Sequence, residues 1–151
     1  MNLTRAQISD QLDIQDPFLM IDEIILDLEE KTAKSKKILN NKEWFYSCHL
    51  TKSPAMPATL QMEGMLQTMA MLIYNLIDHK FEKSYIVDSR TRFFAKVYNQ
   101  PLINYQAELT SYKRGIFKGL VHGSYEGTKI CEGDFTYASP SLMSLPKRGS
   151  K

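Results

Sequence analysis

Two side chains in this sequence have the type and setting for proton transfer. His49 precedes Pro54 and Pro57 in a turn-rich stretch, and Glu63 stands among Leu60, Met62, Gly64, Met65 and Leu66. Imidazole changes charge near neutrality and so can take or give a proton there, although a lone histidine beside a turn is more often structural than catalytic. A carboxylate in apolar company is costly to bury unless it is paired, hydrogen-bonded or protonated. Burial raises its affinity for a proton, which is what a general acid needs near neutral pH. The alternative is a polar stripe that Glu63 shares with Gln67, one helical turn later, facing solvent. Residue types alone leave both readings open. Cys48 adjoins His49, and cysteine–histidine pairs make nucleophiles. Neighbours in an extended segment point to opposite faces, however, so these two are badly placed for a dyad. His79 and His122 have no local partner and read as structural. Three scattered histidines and two cysteines without paired spacing match no zinc pattern, so no metal is expected. No glycine-rich phosphate loop or dinucleotide fingerprint is present.

The elements that must position these residues are strands around one helix. Residues 18–26 follow Pro17 and are rich enough in branched side chains to predict a strand; Glu29-Glu30-Lys31-Thr32 predicts a turn and 33–39 a second strand. From Pro57 to about Asp78 no further proline occurs. Leu60, Gly64, Leu66, Met69, Ile73 and Leu76 recur at helical spacing, while Met62, Met65, Met71 and Leu72 fill the other side. A helix apolar nearly all round belongs at the centre of a fold. Strands are then expected over 85–87, 92–97, 102–112, 116–125 and 129–138, with Lys113-Arg114-Gly115 and Glu126-Gly127-Thr128 as hairpin turns. Gly119 and Gly123 share one strand face, where the buried helix is expected to pack. Residues 139–151, with two prolines and a basic end, are expected to form a flexible tail behind a single domain over 1–138. The fold class is α+β, an antiparallel sheet wrapped around one long central helix.

The bulk properties exclude several classes. The chain has 151 residues, 43% of them hydrophobic and 24% charged, which fits one domain with a sizeable core. A net charge of +2 is too small for a general nucleic-acid binder. Two cysteines suggest a reducing compartment and no disulfide scaffold. The first twenty residues hold no apolar run of signal-peptide length, and residues 65–77 are too short and too interrupted to span a bilayer. The expectation is a cytoplasmic protein with no membrane span.

From Glu43 to Gln67 the sequence resembles a specific family. Glu43-Trp44-Phe45-Tyr46-Ser47-Cys48-His49-Leu50, then Pro54-Ala55-Met56-Pro57, then Glu63 and Gln67, is similar to the active-site segment of FabA/FabZ-type 3-hydroxyacyl-acyl-carrier-protein dehydratases. That family carries His-Phe-Pro-Gly-x-Pro-x-x-Pro-Gly followed by a helix with a catalytic acid. His49, Pro54 and Pro57 fall in register, and Glu63 takes the acid position of the FabZ branch. Pro17-Phe18-Leu19 with Asp22 resembles the first strand, and residues 113–119 a later hairpin. Cys48 stands where glycine usually precedes the histidine, Thr51-Lys52 replace Pro-Gly, and Ala58 replaces the last glycine. Lost glycines restrict the backbone, since only glycine adopts positive φ cheaply. The departures imply an unusual substrate or a reduced rate.

The resemblance implies the hot-dog fold and loss of water from a 3-hydroxyacyl thioester to give a trans-2-enoyl thioester. His49 would remove the α proton and Glu63 would protonate the leaving hydroxyl. The N–H groups of Ala58 and Thr59 would hold the thioester oxygen. Met56, Met62 and Gln67 would line a substrate tunnel, with Met65 and Met69 adding adaptable surface along the helix. No cofactor is implied, because the substrate arrives on the phosphopantetheine arm of an acyl carrier protein. Arg90, Arg92, Lys96, Lys113 and Arg114 are candidate docking charges for that carrier. A homodimer is implied at minimum, with a hexamer of three dimers as the larger option. The rival readings are a hot-dog thioesterase using Glu63 without His49, and a catalytically silent subunit that binds acyl chains or a partner enzyme.

Overall fold

In the computed structural model, which describes residues 1–77 and 83–143, seven strands form one antiparallel sheet in the order β1-β2-β3-β5-β6-β7-β4. The strands are β1 (Asn2–Leu3), β2 (Glu23–Asp27), β3 (Thr32–Ile38), β4 (Tyr85–Phe93), β5 (Leu102–Lys113), β6 (Ile116–Tyr125) and β7 (Thr128–Ala138). Helix α1 (Arg5–Leu12) precedes β2, and the long helix α2 (Ala58–Leu76) lies against the sheet. This is the hot-dog fold, and the core sits between α2 and the sheet face on which Met65, Met69, Leu72, Tyr105, Phe117 and Phe135 meet.

Alternation makes the sheet one-sided. Over residues 102–109 of β5 and along β6 every second residue is buried and its neighbours face outward, as a half-covered strand requires. Gly119 is bare because α2 crosses there: a Cβ at that position would stand 2.1 Å from the Met69 methyl. Gly123 belongs to a different contact from the one expected. Its missing Cβ makes room for the Cys131 sulfur at 2.7 Å and the Tyr105 ring, so it serves packing within the sheet. Both hairpins turn through paired positive-φ residues, Arg114-Gly115 and Glu126-Gly127, the geometry that matches strand twist.

Several elements differ from expectation. The first long strand begins at Glu23; just before it the Asp22 N–H donates to the Lys36 carbonyl at 2.7 Å, while its carboxylate accepts from the Ile38 N–H at 2.7 Å and pairs with Arg5 and Lys37. Lys37 is buried, and desolvation pushes its ammonium below the usual lysine range. This cluster ties α1 to β2 and β3. Helix α1 itself has little apolar periodicity; Thr4 caps it in a reciprocal capping box with Gln7. The short strand expected over 85–87 extends to Phe93 as β4, which pairs with β7 and occupies the sheet edge instead of continuing a meander, while residues 94–97 of the strand expected over 92–97 are not strand. The expected tail starts as packed structure. Ser139 and Leu142 are buried, and Pro140–Met143 forms the short helix α3, so the domain reaches past 138. Residues 144–151, and with them most of that tail, lie outside the described residues, as does His79.

Candidate active site

Helix α2 presents Glu63, Leu66, Gln67, Ala70 and Tyr74 along one face, at the three- and four-residue spacing that stacks side chains. Together with Leu12 and Ile14, Ser84 just before β4, Tyr85 and Ile86 of β4, and Tyr137, they line a cavity of about 190 Å³. Glu63 is half-buried there, and desolvation raises its proton affinity above the ordinary carboxylate, with a hydrogen bond from Gln67 opposing in part. That contest is the anomaly its sequence neighbours suggested.

Gln67 is held from three sides. The Met20 N–H donates to its Oε1 at 2.8 Å, while its Nε2 donates to the Phe18 carbonyl at 2.9 Å and to Glu63 Oε1 at 3.0 Å. An N–H can only donate and a backbone carbonyl can only accept, so the amide has one orientation. Glu63 Oε1 must therefore accept, and a proton on this carboxyl sits on Oε2. The Gln67 amide sets which oxygen is the acid. Sequence reasoning gave Gln67 a place in a tunnel and missed this positioning; the i, i+4 spacing from Glu63 was the available signal.

His49 follows a 3-10 turn at Trp44–Ser47 whose Phe45 and Tyr46 anchor it in the core. Its Nδ1 lies 2.9 Å from the Ala55 carbonyl oxygen, an acceptor only. In the neutral ring Nδ1 therefore carries the hydrogen and Nε2 keeps the lone pair, the tautomer a general base requires. Cys48 takes no part: its thiol points to the Trp44 and Phe45 carbonyls at 3.5 and 3.9 Å. The other thiol, Cys131, is buried and pushed up to about 11, which leaves it a poor nucleophile.

The loop tolerates its missing glycines for a visible reason. The positive-φ residue there is Leu50, at φ 51, while neither Lys52 nor Ala58 is left-handed. The expected strain at the replaced glycines does not arise. Ala58 and Thr59 open α2 behind Pro57 and are exposed; the first backbone bonds in this turn come from the N–H groups of Leu60 and Gln61 to the Pro57 carbonyl. The N–H groups of Ala58 and Thr59 thus belong to the unpaired donors of a helix start.

The structure does not bring every expected residue to one place. His49 is not among the side chains lining the Glu63 cavity. Met56 is buried with its N–H on the Val97 carbonyl, and Met62 touches the Ser89 hydroxyl at 3.8 Å; neither lines the cavity. Met65 and Met69 are fully buried against the sheet. Their places along the cavity are taken by Leu66, Ala70 and Tyr74, which extend the Glu63 face of the helix. Of the candidate docking charges, Arg90 and Arg92 share a groove on the outer sheet face with Glu132 and Asp134, which offset them. Lys113 and Arg114 lie at the β5–β6 hairpin. Lys96 alone among these five reaches the His49 loop, donating to the Ser53 hydroxyl at 2.7 Å.

The FabA-like domain family matches residues 14–134. Curated relatives include the 3-hydroxyacyl-acyl-carrier-protein dehydratase FabZ of Oceanobacillus iheyensis, 28% identical over 81% of this chain and 88% of that one. The FabZ proteins of Caldicellulosiruptor saccharolyticus and of Clostridium botulinum are each 32% identical, again over 81% of this chain and 88% of theirs. Similar solved structures include a mutant thioesterase from Pseudomonas aeruginosa, with a TM-score of 0.68 at 11% identity over 90% of this chain and 93% of that one. A sigma28-regulated virulence protein from Campylobacter jejuni gives 0.63 at 16% over 89% of both. At such identities the structural likeness speaks for the fold alone. Among the described residues no helix is long and apolar enough to cross a membrane.

Proposed function

Because the chain belongs to the FabA/FabZ-like dehydratase family, we propose that it removes water from a 3-hydroxyacyl thioester delivered by an acyl carrier protein. The observation that carries the reading is a half-buried carboxylic acid, Glu63, with one oxygen taken by Gln67, opening on a cavity lined by both apolar and polar side chains. In this role Glu63 Oε2 gives its proton to the departing hydroxyl. His49 Nε2, left basic by the Nδ1 bond to Ala55, takes the proton α to the thioester carbonyl. The negative charge that builds on the thioester oxygen falls to the N–H groups of Ala58 and Thr59 at the start of α2.

His49 and Glu63 meet across two copies of the chain in this reading. Strand β4, nine residues long, ends the sheet, with no strand on its outer edge among the described residues, and Tyr85, Val87 and Phe93 on it are exposed. An edge of that length and composition invites a second strand. Pairing two β4 edges around a two-fold axis sets the residue 84–86 wall of each cavity against the partner copy. The active unit proposed is a homodimer.

The test is turnover of 3-hydroxyacyl and 2-enoyl thioesters by the purified protein, with a thiol trap present. Interconversion of the two without thiol release is expected. Release of free thiol would make the protein a thioesterase, and no turnover of either would make it a silent acyl-binding subunit; both outcomes overturn the proposal.

A further inference from the structure

Three consecutive residues, Lys96, Val97 and Tyr98, hold the loop that carries His49. They lie in the connection between β4 and β5, which is tied down at both ends. The Phe94 N–H donates to the Ile130 carbonyl at 2.7 Å, and the Pro101 carbonyl accepts from the Leu39 N–H at 2.9 Å. Between these ties the Gln100 amide closes a turn. Its Oε1 accepts from the Tyr98 N–H at 2.6 Å and its Nε2 donates to the Lys96 carbonyl at 3.4 Å. The three residues therefore stand on a fixed backbone.

Each of the three touches the loop. The Lys96 ammonium donates to the Ser53 hydroxyl at 2.7 Å and stands 5.9 Å from the Tyr98 ring. The Val97 carbonyl accepts from the Met56 N–H at 2.8 Å. The Tyr98 ring meets Tyr46 edge-on, 5.3 Å between centroids. Tyr46 belongs to the turn that leads into His49, while Ser53 and Met56 stand on either side of Ala55, whose carbonyl faces His49 Nδ1. Both partners of that bond are thus gripped from one place. Ser53 directly follows Thr51-Lys52, which stand where the related dehydratases have Pro-Gly. Proline would stiffen the loop from within by fixing φ. In this chain a tie from outside, the Lys96 bond, falls at the same stretch.

We propose that Lys96 is a positioning residue for the base, fixing through Ser53 the Ala55 carbonyl that keeps the hydrogen of His49 on Nδ1, and not a docking charge for the carrier. This rests on His49 acting as the base of the dehydration. The two roles differ physically. A docking charge acts through its field on an arriving partner, whereas a charge-assisted hydrogen bond fixes the geometry of what it holds.

The experiment compares Lys96→Met, Ser53→Ala and the double variant in the full chain, on a 3-hydroxyacyl thioester of N-acetylcysteamine, which brings no carrier to dock. Lys96 and Ser53 are both exposed, so neither change opens the core. Each single variant is expected to lower kcat roughly five-fold with KM unchanged, the worth of one hydrogen bond. The double variant is expected to lose no more than either single one, because both remove the same bond. Lys96→Arg, which keeps a charged donor, should retain most of the rate. Carrier-free turnover unchanged in Lys96→Met, with KM raised on the carrier-linked thioester, makes Lys96 a docking charge and overturns the proposal. Losses that multiply in the double variant overturn it too. Nitrogen-15 NMR of histidine-labelled protein decides the matter without turnover, the His49 signals being those lost in His49→Ala. At a pH where the rings are neutral, the wild type is expected to carry the hydrogen on Nδ1, and Lys96→Met to show Nε2–H as well. A tautomer unchanged by Lys96→Met overturns the proposal. A shifted tautomer in a protein that turns over no thioester sustains the hold on His49 and refutes only the reaction.

Discussion

Replacing His49 by alanine or Glu63 by glutamine removes one partner of a proton-transfer pair, and each change is expected to lower dehydration by roughly 10²- to 10⁴-fold, about 3–5 kcal/mol of barrier. The melting temperature separates this from unfolding. Glu63→Gln keeps the Gln67 bond and removes a charge that burial opposes, so it should not destabilise. The sign is fixed by the raised proton affinity of Glu63 in the folded chain. Stability from the protonated acid is fully present below the unfolded glutamate range and is lost as pH rises through the folded value. Glu63→Gln should therefore raise the melting temperature most on the alkaline side and least in acid. As the general acid, Glu63 must be protonated, so the rate should fall as pH rises through the same folded value. Gln67→Leu removes the donor that favours the ionised form, so that alkaline limb should move to higher pH. It also strips partners from the Met20 N–H and the Phe18 carbonyl, at about 1–3 kcal/mol of stability per buried group. A residue that only packed would change the melting temperature and leave the limb in place.

At the scale of elements, α2 is placed by bare positions. A Cβ on Gly64, next to Glu63, would meet the Tyr105 hydroxyl at 2.5 Å and ring carbons at 2.6 and 2.7 Å, and Tyr105 is fully buried. In an exposed helix Gly→Ala stabilises. Here Gly64→Ala should instead cost about 1–3 kcal/mol by overpacking and reduce turnover by displacing Glu63. A chemical denaturation midpoint that rises would refute this crossing. Much of the element plan was legible in the sequence: the all-round apolar helix, both hairpin turns, and Glu63 as a carboxyl in the wrong company. What the sequence hid has physical causes. The β4 segment is mostly exposed on both faces, so it lacks the alternation that marks a strand and reads as two fragments. Its pairing with β7, past the two intervening strands β5 and β6, is a long-range fact that no local pattern encodes. Helix α1 is short and weakly amphipathic, and a cap and an ion cluster hold it more than an apolar stripe does. Of the residues expected along a tunnel, Gln67 lines the cavity beside Glu63 and Met56 and Met62 do not; the other α2 side chains that line it, following Glu63 at three- and four-residue steps, are Leu66, Ala70 and Tyr74.

For the whole molecule, the account joins His49 of one copy to Glu63 of another through paired β4 edges. A charge on that edge should block pairing: Val87→Glu is expected to shift the protein toward monomer in sedimentation and to lose activity with it. The most direct measurement mixes inactive His49→Ala subunits with inactive Glu63→Gln subunits and assays dehydration after subunit exchange. In a mixed dimer one site collects both lesions and the other collects neither. Random pairing makes about half the dimers mixed, so activity should return to roughly a quarter of the wild-type level. A mixture as inactive as its components, with exchange verified, would contradict the account, because His49 and Glu63 would then share one copy's site or not act together.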